Sequence, residues 1–341
     1  MSSKTLNTEP PAFVTRSREE LKTIAQDTLA AVTRGFYTIE SDSNRETYTF
    51  RDLSAVPNST TYLAPDALAD WETAASPKQS TSTALVLYRA TTLEGIRFCL
   101  NKTGAADLQS NHTHHLAVLN FASGTSPGGR FLHGARAQEE SLARASNLYS
   151  SVSSAAAHPF YTTHSTRNGT KVITEHCGGD NPRFSHAMLL TRNVRFVRDD
   201  AGAWVTPADV DVLSSAAVNV NSLRKSLHVH GEDPEAPLPT DVAAEVSTIM
   251  RERMARILCA MARAGAEDVV LGSFGTGAFG NNVEFVAQTW AELLCGERAP
   301  FRDVFRKVVF AIIDRGTWGM FCEVFRRAGA SFQEAVEEHG R

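Results

Sequence analysis

A short apolar strand that empties into a glycine-rich turn and then a helix occurs twice in this chain, and that repeated unit confines it to an α/β architecture. The first copy is LNFASGTSPGGRFLHGARAQEESLARASNLY, residues 119–149. Its strand, His115 to Ala122, is a short run of β-formers closed off by Gly124, Pro127, Gly128 and Gly129, as expected of a strand buried in a parallel or mixed sheet. The second copy runs from Val269 to Asn282, with Gly272, Gly275, Gly277 and Gly280 between an apolar strand and a helix beginning near Val283. In open α/β sheets ligands bind outside the carboxyl ends of strands, and glycines there let backbone N–H groups approach phosphate oxygens with no Cβ in the way. Two such units supply two walls for one diphosphate.

The first unit also delivers acid groups. After Gly134 the sequence is rich in helix formers, with Leu142, Ala145 and Leu148 at helical spacing, so Gln138, Glu139 and Glu140 fall at a helix start. Two readings stand at this point. Carboxylates in a first turn are ordinary partners of the helix dipole, each contributing roughly 0.3–1 kcal/mol, and glycine loops are ordinary turns. Alternatively the pair does chemistry. Neighbouring side chains on a helix diverge by about 100°, so the two cannot flank one bond as the usual glycosidase pair does. If one reacts, the other positions.

Elsewhere the chain is punctuated clearly. Ser17 to Glu20 forms a capping-box pattern ahead of an amphipathic helix through Phe36. Residues 41–82 are polar and broken by Pro57, Pro65 and Pro77, which reads as irregular structure with one hairpin. Thr83 to Tyr88 reads as the first core strand, followed by a helix TTLEGIRFCLNK capped by Thr91 or Thr92. Further strands are expected over His186–Thr191, Val194–Val197, within Val210–Val220 ending at Asn219, and over Lys307–Ile313. A long helix is expected from Thr240 to Ala264 and a closing helix around Phe321–Ala328. Asn168-Gly169 signals a hairpin inserted near the site's mouth.

The 341 residues carry a net charge of −4, which argues against a nonspecific nucleic-acid binder, so no direct DNA binding is expected. An anionic ligand then needs a local basic groove, for which Arg130, Arg136, Arg144, Arg183 and Lys225 are candidates. Five cysteines without a C-x-x-C pair favour a reducing compartment. No apolar run approaches the roughly 18 residues of a membrane span, and MSSKTLNTEPPAFVTR lacks a signal-peptide core. The expected location is the cytoplasm, with nuclear access left open. The histidines at 112, 114, 115 and 176 lack the spacing of a metal site, and neither metal nor cofactor is expected.

The stretch 119–149 resembles the signature of poly(ADP-ribose) glycohydrolases, a glycine triplet followed shortly by Gln-Glu-Glu. The resemblance is to the smaller bacterial-type members. It continues in the same order through TTLEGIRF, SHAMLLTRNVRFVRDDAGAW, SSAAVNVN and VLGSFGTGAFGNNVEFVAQTW, from about Arg18 to about Arg327. It implies a macrodomain-like three-layer α/β/α fold with a mixed sheet: an N-terminal helical and irregular extension (1–82) before a catalytic core (83–341).

For the site, the resemblance implies Glu140 as the acid that protonates the leaving ribose and then activates water, with a raised pKa, and Glu139 as holder of ribose hydroxyls. Gln138 orients the pair, and Asn120 is a candidate ribose contact. Gly128, Gly129 and the loop Gly275-Thr276-Gly277-Ala278-Phe279 bind the diphosphate, with Phe279 covering the ligand. The implied activity is hydrolysis of ribose–ribose bonds in poly(ADP-ribose), mainly from chain ends, releasing ADP-ribose. Alternatives are a mono-ADP-ribosyl hydrolase acting on ADP-ribosylated proteins and a module that binds ADP-ribose without cleaving it. One position departs from the pattern: Arg130 stands where the third glycine belongs. It strains the loop if that position needs a positive φ, and can pair with the diphosphate if it does not.

Overall fold

The computed structural model describes residues 16–41, 44–50, 59–73, 82–101, 114–164, 181–227 and 237–336. The expected Asn168-Gly169 hairpin, His112, His176, Cys177 and the His228/His230 pair lie outside them. Helix α1 (Arg18–Arg34) opens with the expected capping box, Glu20 N–H to Ser17 Oγ at 3.2 Å and Ser17 N–H to Glu20 Oε2 at 2.6 Å, and ends on Gly35 at φ 88°. A hairpin of β1 (Phe36–Ser41) and β2 (Asn44–Thr49) follows. Then come β3 (Thr60–Leu63), β4 (Ala84–Arg89), α2 (Thr92–Leu100, capped by Thr91), β5 (Leu116–Phe121), α3 (Gln138–Ala145), α4 (Leu148–Val152) and α5 (His158–His164). The second half holds β6 (Met188–Arg198), β7 (Trp204–Ser215), α6 (Val220–Ser226), α7 (Thr240–Arg263), β8 (Asp268–Leu271), α8 (Val283–Leu294), β9 (Lys307–Ala311), α9 (Arg315–Arg327) and β10 (Gln333–Val336).

The main sheet is mixed, in the order β10-β4-β9-β8-β5-β7-β6-β3. Pairing is parallel from β10 through β7, and antiparallel at β7–β6 and β6–β3. The period of two along each strand sends alternate side chains to opposite faces. Leu119, Leu213, Val269, Leu271, Val308 and Phe310 therefore pack with Met250, Met254, Ile257, Trp290, Phe321 and Phe325 of α7, α8 and α9. Val118, Val212, Val270 and Val309 face the other way, onto Leu93, Ile96, Leu142, Leu148 and Phe160 of α2–α5. Helices on both faces of a mixed sheet make the expected three-layer macrodomain-like arrangement.

Four readings need correction. Thr60–Leu63, inside the segment expected to be irregular, is a strand on the edge of the main sheet beside β6, so β4 is not the sheet's first strand. The strand near Val210–Val220 starts earlier, at Trp204, and stops at Ser215; Asn219 instead caps α6, its Oδ1 accepting from Ser222 N–H at 2.9 Å. Helical spacing through Leu148 does not make one helix: the chain breaks at Ser146, which bridges to Phe196, and restarts as α4. The last buried strand stops at Ala311 and not at Ile313, and an exposed strand, β10, follows it at the sheet edge beside β4.

Helix α1 is fastened to the core through Thr28. Its hydroxyl donates to Arg144 O at 2.8 Å and accepts from Arg198 Nε at 2.7 Å. Buried Arg198 also pairs with Asp27 and lies 3.4 Å from the Trp204 ring centroid.

Candidate active site

Strand β5 ends beneath a cleft of about 1020 Å³ at the carboxyl edge of the sheet. Gln138 joins strand to helix there. Its side-chain oxygen accepts from Phe121 N–H at 2.9 Å, and its amide nitrogen donates to Leu119 O at 2.7 Å and Thr92 Oγ1 at 3.3 Å. Ala137 at the helix N-cap contributes no side-chain bond, so this amide does the fastening that a capping residue usually does.

Both carboxylates are nearly buried, Glu139 at 3% exposure and Glu140 at 8%, and both line the cleft. Glu139 Oε2 accepts from Ser123 N–H at 2.7 Å, and its Oε1 lies 3.5 Å from Asn120 Nδ2. Burial first, then the like charge of Glu140, pushes the Glu139 carboxyl up to about 8, against the lowering effect of the Ser123 N–H. Glu140 Oε1 accepts from Arg130 N–H at 2.9 Å, while Oε2 is buried without a hydrogen-bond partner. An unpaired buried carboxylate oxygen in a cleft is a place for a ligand hydroxyl.

The two carboxylates converge on Gly129. A Cβ there would lie 2.9 Å from Glu140 Cδ and 3.0 Å from Glu139 Oε2, and Gly129 is at φ 61° with Gly128 at φ 65°. The pair of glycines thus presses the loop backbone against the acids; neither glycine lines the cleft. Arg130 is at φ −113°, an ordinary conformation, and its side chain is exposed and also outside the cleft wall. The missing third glycine therefore costs the backbone nothing. Asn120 is fully buried beneath Glu139, its amide donating to Ser214 Oγ at 3.0 Å, and it too is away from the cleft surface.

The second loop is built the opposite way. Gly275, Thr276, Gly277, Ala278 and Phe279 all line the cleft. Asn281 braces the loop from behind, donating to Val218 O at 2.8 Å and Gly275 O at 3.0 Å, and Asn221 of α6 donates to Ala278 O at 3.0 Å. Phe279 is half-buried, its ring 6.0 Å from Phe184, whose ring in turn would meet any Cβ on Gly124 at 2.8 Å. Phe184 thus stands between the two loops. It holds φ 53°, and Arg253 of α7, fully buried, donates to the carbonyls of Arg183 and Phe184 at 3.0 and 3.3 Å.

Sequence reading missed Ser123, Thr92, Asn221, Asn281 and Phe184. Of the candidate cations, Arg136 and Arg144 line the cleft; Arg183 is paired with Glu245, and Lys225 is exposed away from the cleft wall. His114 and His115 face carboxylates, Glu267 at 3.2 Å and Asp211 at 2.8 Å, and no metal-holding cluster occurs among the described residues.

A mixed sheet covered by helices on both faces, with a cleft at its carboxyl edge between a carboxylate pair and a glycine loop, defines a macrodomain-like protein. A family model for the microbial-type PARG (poly(ADP-ribose) glycohydrolase) catalytic domain matches residues 25–199. The solved poly(ADP-ribose) glycohydrolase of Thermomonospora curvata is 31% identical over 91% of this chain and 99% of its own, with a TM-score of 0.71. The same enzyme bound to the inhibitor ADP-HPD superposes with a TM-score of 0.67 at 31% identity, over the same shares of the two chains. The Deinococcus radiodurans poly(ADP-ribose) glycohydrolase in complex with ADP-ribose is 28% identical over 82% of this chain and 99% of its own, with a TM-score of 0.65. No curated protein matches. The chain belongs to the microbial-type poly(ADP-ribose) glycohydrolase family, a family of glycosidases.

Proposed function

We propose that this protein hydrolyses ribose–ribose O-glycosidic bonds of poly(ADP-ribose), releasing ADP-ribose mainly from chain ends, with Glu140 as acid and then base. The observation that carries the reading is the unpaired Glu140 Oε2 in a cleft whose opposite wall is the Gly275–Phe279 backbone. As the bond from the anomeric carbon to the departing ribose oxygen breaks, that oxygen takes the Glu140 proton. Water then attacks the oxocarbenium-like carbon and returns a proton to Glu140. Glu139 holds ribose hydroxyls, and Asn120 acts through Glu139 rather than on the sugar. The Gly275–Phe279 loop receives the diphosphate through its backbone, and Phe279 covers the ligand. Arg16, just before α1, and Leu21, within it, also line the cleft.

We keep the division at residue 83 between an N-terminal extension and a catalytic core as a division along the chain, with β3 contributed to the core's sheet from the extension and α1 docked on α3 through Thr28. A cytoplasmic location suits the free thiols of Cys99, Cys259, Cys295 and Cys322. No described helix is long and apolar enough to cross a membrane.

The test is turnover of labelled poly(ADP-ribose) and of mono-ADP-ribosylated protein by wild type and Glu140→Gln. Release of ADP-ribose from polymer by wild type alone is expected. Cleavage of the mono-modified substrate only moves the assignment to a mono-ADP-ribosyl hydrolase; tight binding without turnover makes the protein a reader. Full activity of Glu140→Gln removes the acid assignment.

A further inference from the structure

The cleft is not used up by the two loops. Its lining also includes three arginines, Arg16, Arg136 and Arg144. Glu140 and Arg144 are four residues apart within α3, and Arg136 stands just ahead of the helix's N-cap, Ala137. Side chains four apart on a helix lie on one face, roughly 5–6 Å between their Cβ atoms. The charge on Arg144 is thus one helical turn from the carboxylate assigned to protonate the leaving group.

The donors there are only partly committed. Arg136 gives one N–H to Arg16 O at 2.5 Å, and Arg144 gives one each to Ala135 O and to Ser141 Oγ, the latter at 3.2 Å. Arg16 meets Glu20 only at 3.6 Å, and its Nε is buried with no hydrogen-bond partner. Acidic groups line the same cleft, and one oxygen of each is held by local structure. Glu94 accepts from Thr91 N–H at 2.7 Å, Asp200 from Thr91 Oγ1 at 2.6 Å, and Asp199 from Ala203 N–H at 2.8 Å. The chemistry left over is that of an anion site, planar donors suited to phosphate oxygens.

We infer that Arg16, Arg136 and Arg144 form a second subsite, which holds the diphosphate of the polymer unit on the leaving-group side of the bond that Glu140 cleaves. This rests on the glycohydrolase reading above. The departing unit is joined through a ribose hydroxyl and carries its diphosphate on the same ribose. Its phosphates therefore lie about one sugar away from Glu140, which is the scale of one helical turn. Such a subsite recognises polymer as distinct from free ADP-ribose, because in the reading above a single ADP-ribose is held by the Gly275–Phe279 loop and the carboxylate pair and has no further diphosphate to offer the arginines.

The experiment compares dissociation constants for free ADP-ribose and for a short poly(ADP-ribose) oligomer, all on full-length protein carrying Glu140→Gln so that the oligomer is not consumed: with the arginines as in wild type, with Arg16→Gln/Arg136→Gln, and with Arg136→Lys. With the arginines intact, the protein should bind the oligomer more tightly than ADP-ribose, with the steeper salt dependence of the two. The double variant should lose on the order of tenfold on the oligomer, lose the extra salt dependence, and keep its ADP-ribose affinity. Arg136→Lys should keep most of the oligomer affinity, since it retains the charge. An unchanged oligomer-to-monomer ratio in the double variant overturns the subsite, as does equal loss on both ligands. Turnover of polymer by wild type is measured alongside: activity with an unchanged ratio sinks the subsite alone, whereas absence of oligomer binding with the arginines intact sinks both readings.

Discussion

The two strand–glycine loop–helix units read alike along the chain and are put to opposite uses. In the first, Gly128 and Gly129 turn their backs on the cleft and let the backbone touch the two carboxylates, with the Arg130 N–H held on Glu140. In the second, the backbone from Gly275 to Phe279 is itself the cleft wall, and the contacts that need glycine are behind it: a Cβ on Gly275 would sit 2.7 Å from Asn281 Nδ2, and one on Gly280 2.7 Å from Asn221 Cγ. Glycine-rich turns are thus selected by whatever must come close to the backbone. In one loop that is the acid pair; in the other it is a brace behind the loop, with the open cleft on its other side.

The sharpest way to break this contrast is Gly129→Ala. The substitution forces a side chain at φ 61° into both carboxylates, and misplacing a reacting group by about 1 Å costs on the order of hundredfold. We expect kcat to fall by at least about that factor with ADP-ribose affinity little changed, and backbone strain of about 1–3 kcal/mol to lower the thermal midpoint. A collapse of ADP-ribose binding with normal kcat would instead make the first loop a phosphate wall.

Gly277→Ala tests the other side. A Cβ at Gly277 meets nothing within 4 Å, so the fold should be unaffected. Losing a close backbone approach to a charged group should weaken ADP-ribose binding by roughly tenfold or more in calorimetry, with an unchanged melting temperature. Unchanged affinity would mean the second loop does not touch the ligand.

A pH series sharpens the acid half of the comparison. The Glu139 carboxyl rises from 4.5 to about 8, so the fold favours its protonated form. That preference costs nothing below about pH 4.5, and stability is lost progressively as pH climbs from there to about 8, where the unfolded chain ionises and the buried group resists. Glu139→Gln should therefore have a flatter melting-temperature profile over that window and gain on wild type as pH rises. Parallel profiles would mean that Glu139 is not the strained carboxyl. The smallest effect is expected for Arg130→Gly. With φ at −113° and an exposed side chain, activity should stay within about twofold, and stability should drop by under about 1 kcal/mol from added freedom in the unfolded chain. A large loss of polymer turnover would give Arg130 a role in binding that its position outside the cleft does not suggest.

The periodic parts of the molecule were legible in the sequence because their signals are local. The capping boxes at Ser17 and Thr91, the helix from Thr240, and both strand–loop–helix units announce themselves within a few residues. Thr60–Leu63 did not, since four residues of edge strand become a strand only by pairing with Leu189–Thr191 and its neighbours, far along the chain. The candidate site shows the same division. Gln138, Glu139 and Glu140 stand out as a contiguous motif, while Asn221, Asn281 and Phe184 act through carbonyls and rings that only the fold brings near. Glycine spacing alone is equally compatible with a loop that lines the cleft and with one that backs onto the acids.

The amide of Gln138 has a consequence for how such a protein can change. Because that one side chain bolts helix α3 straight onto strand β5, the segment between them is anchored at both ends independently of its own path. Only Ser123, Gly129 and the Arg130 N–H must keep station beside the acids. The exposed parts of the segment, Thr125 and the Arg130 side chain among them, can then change without moving either carboxylate, whereas Phe131 is held by the core and Gly134 by its close approach to α1.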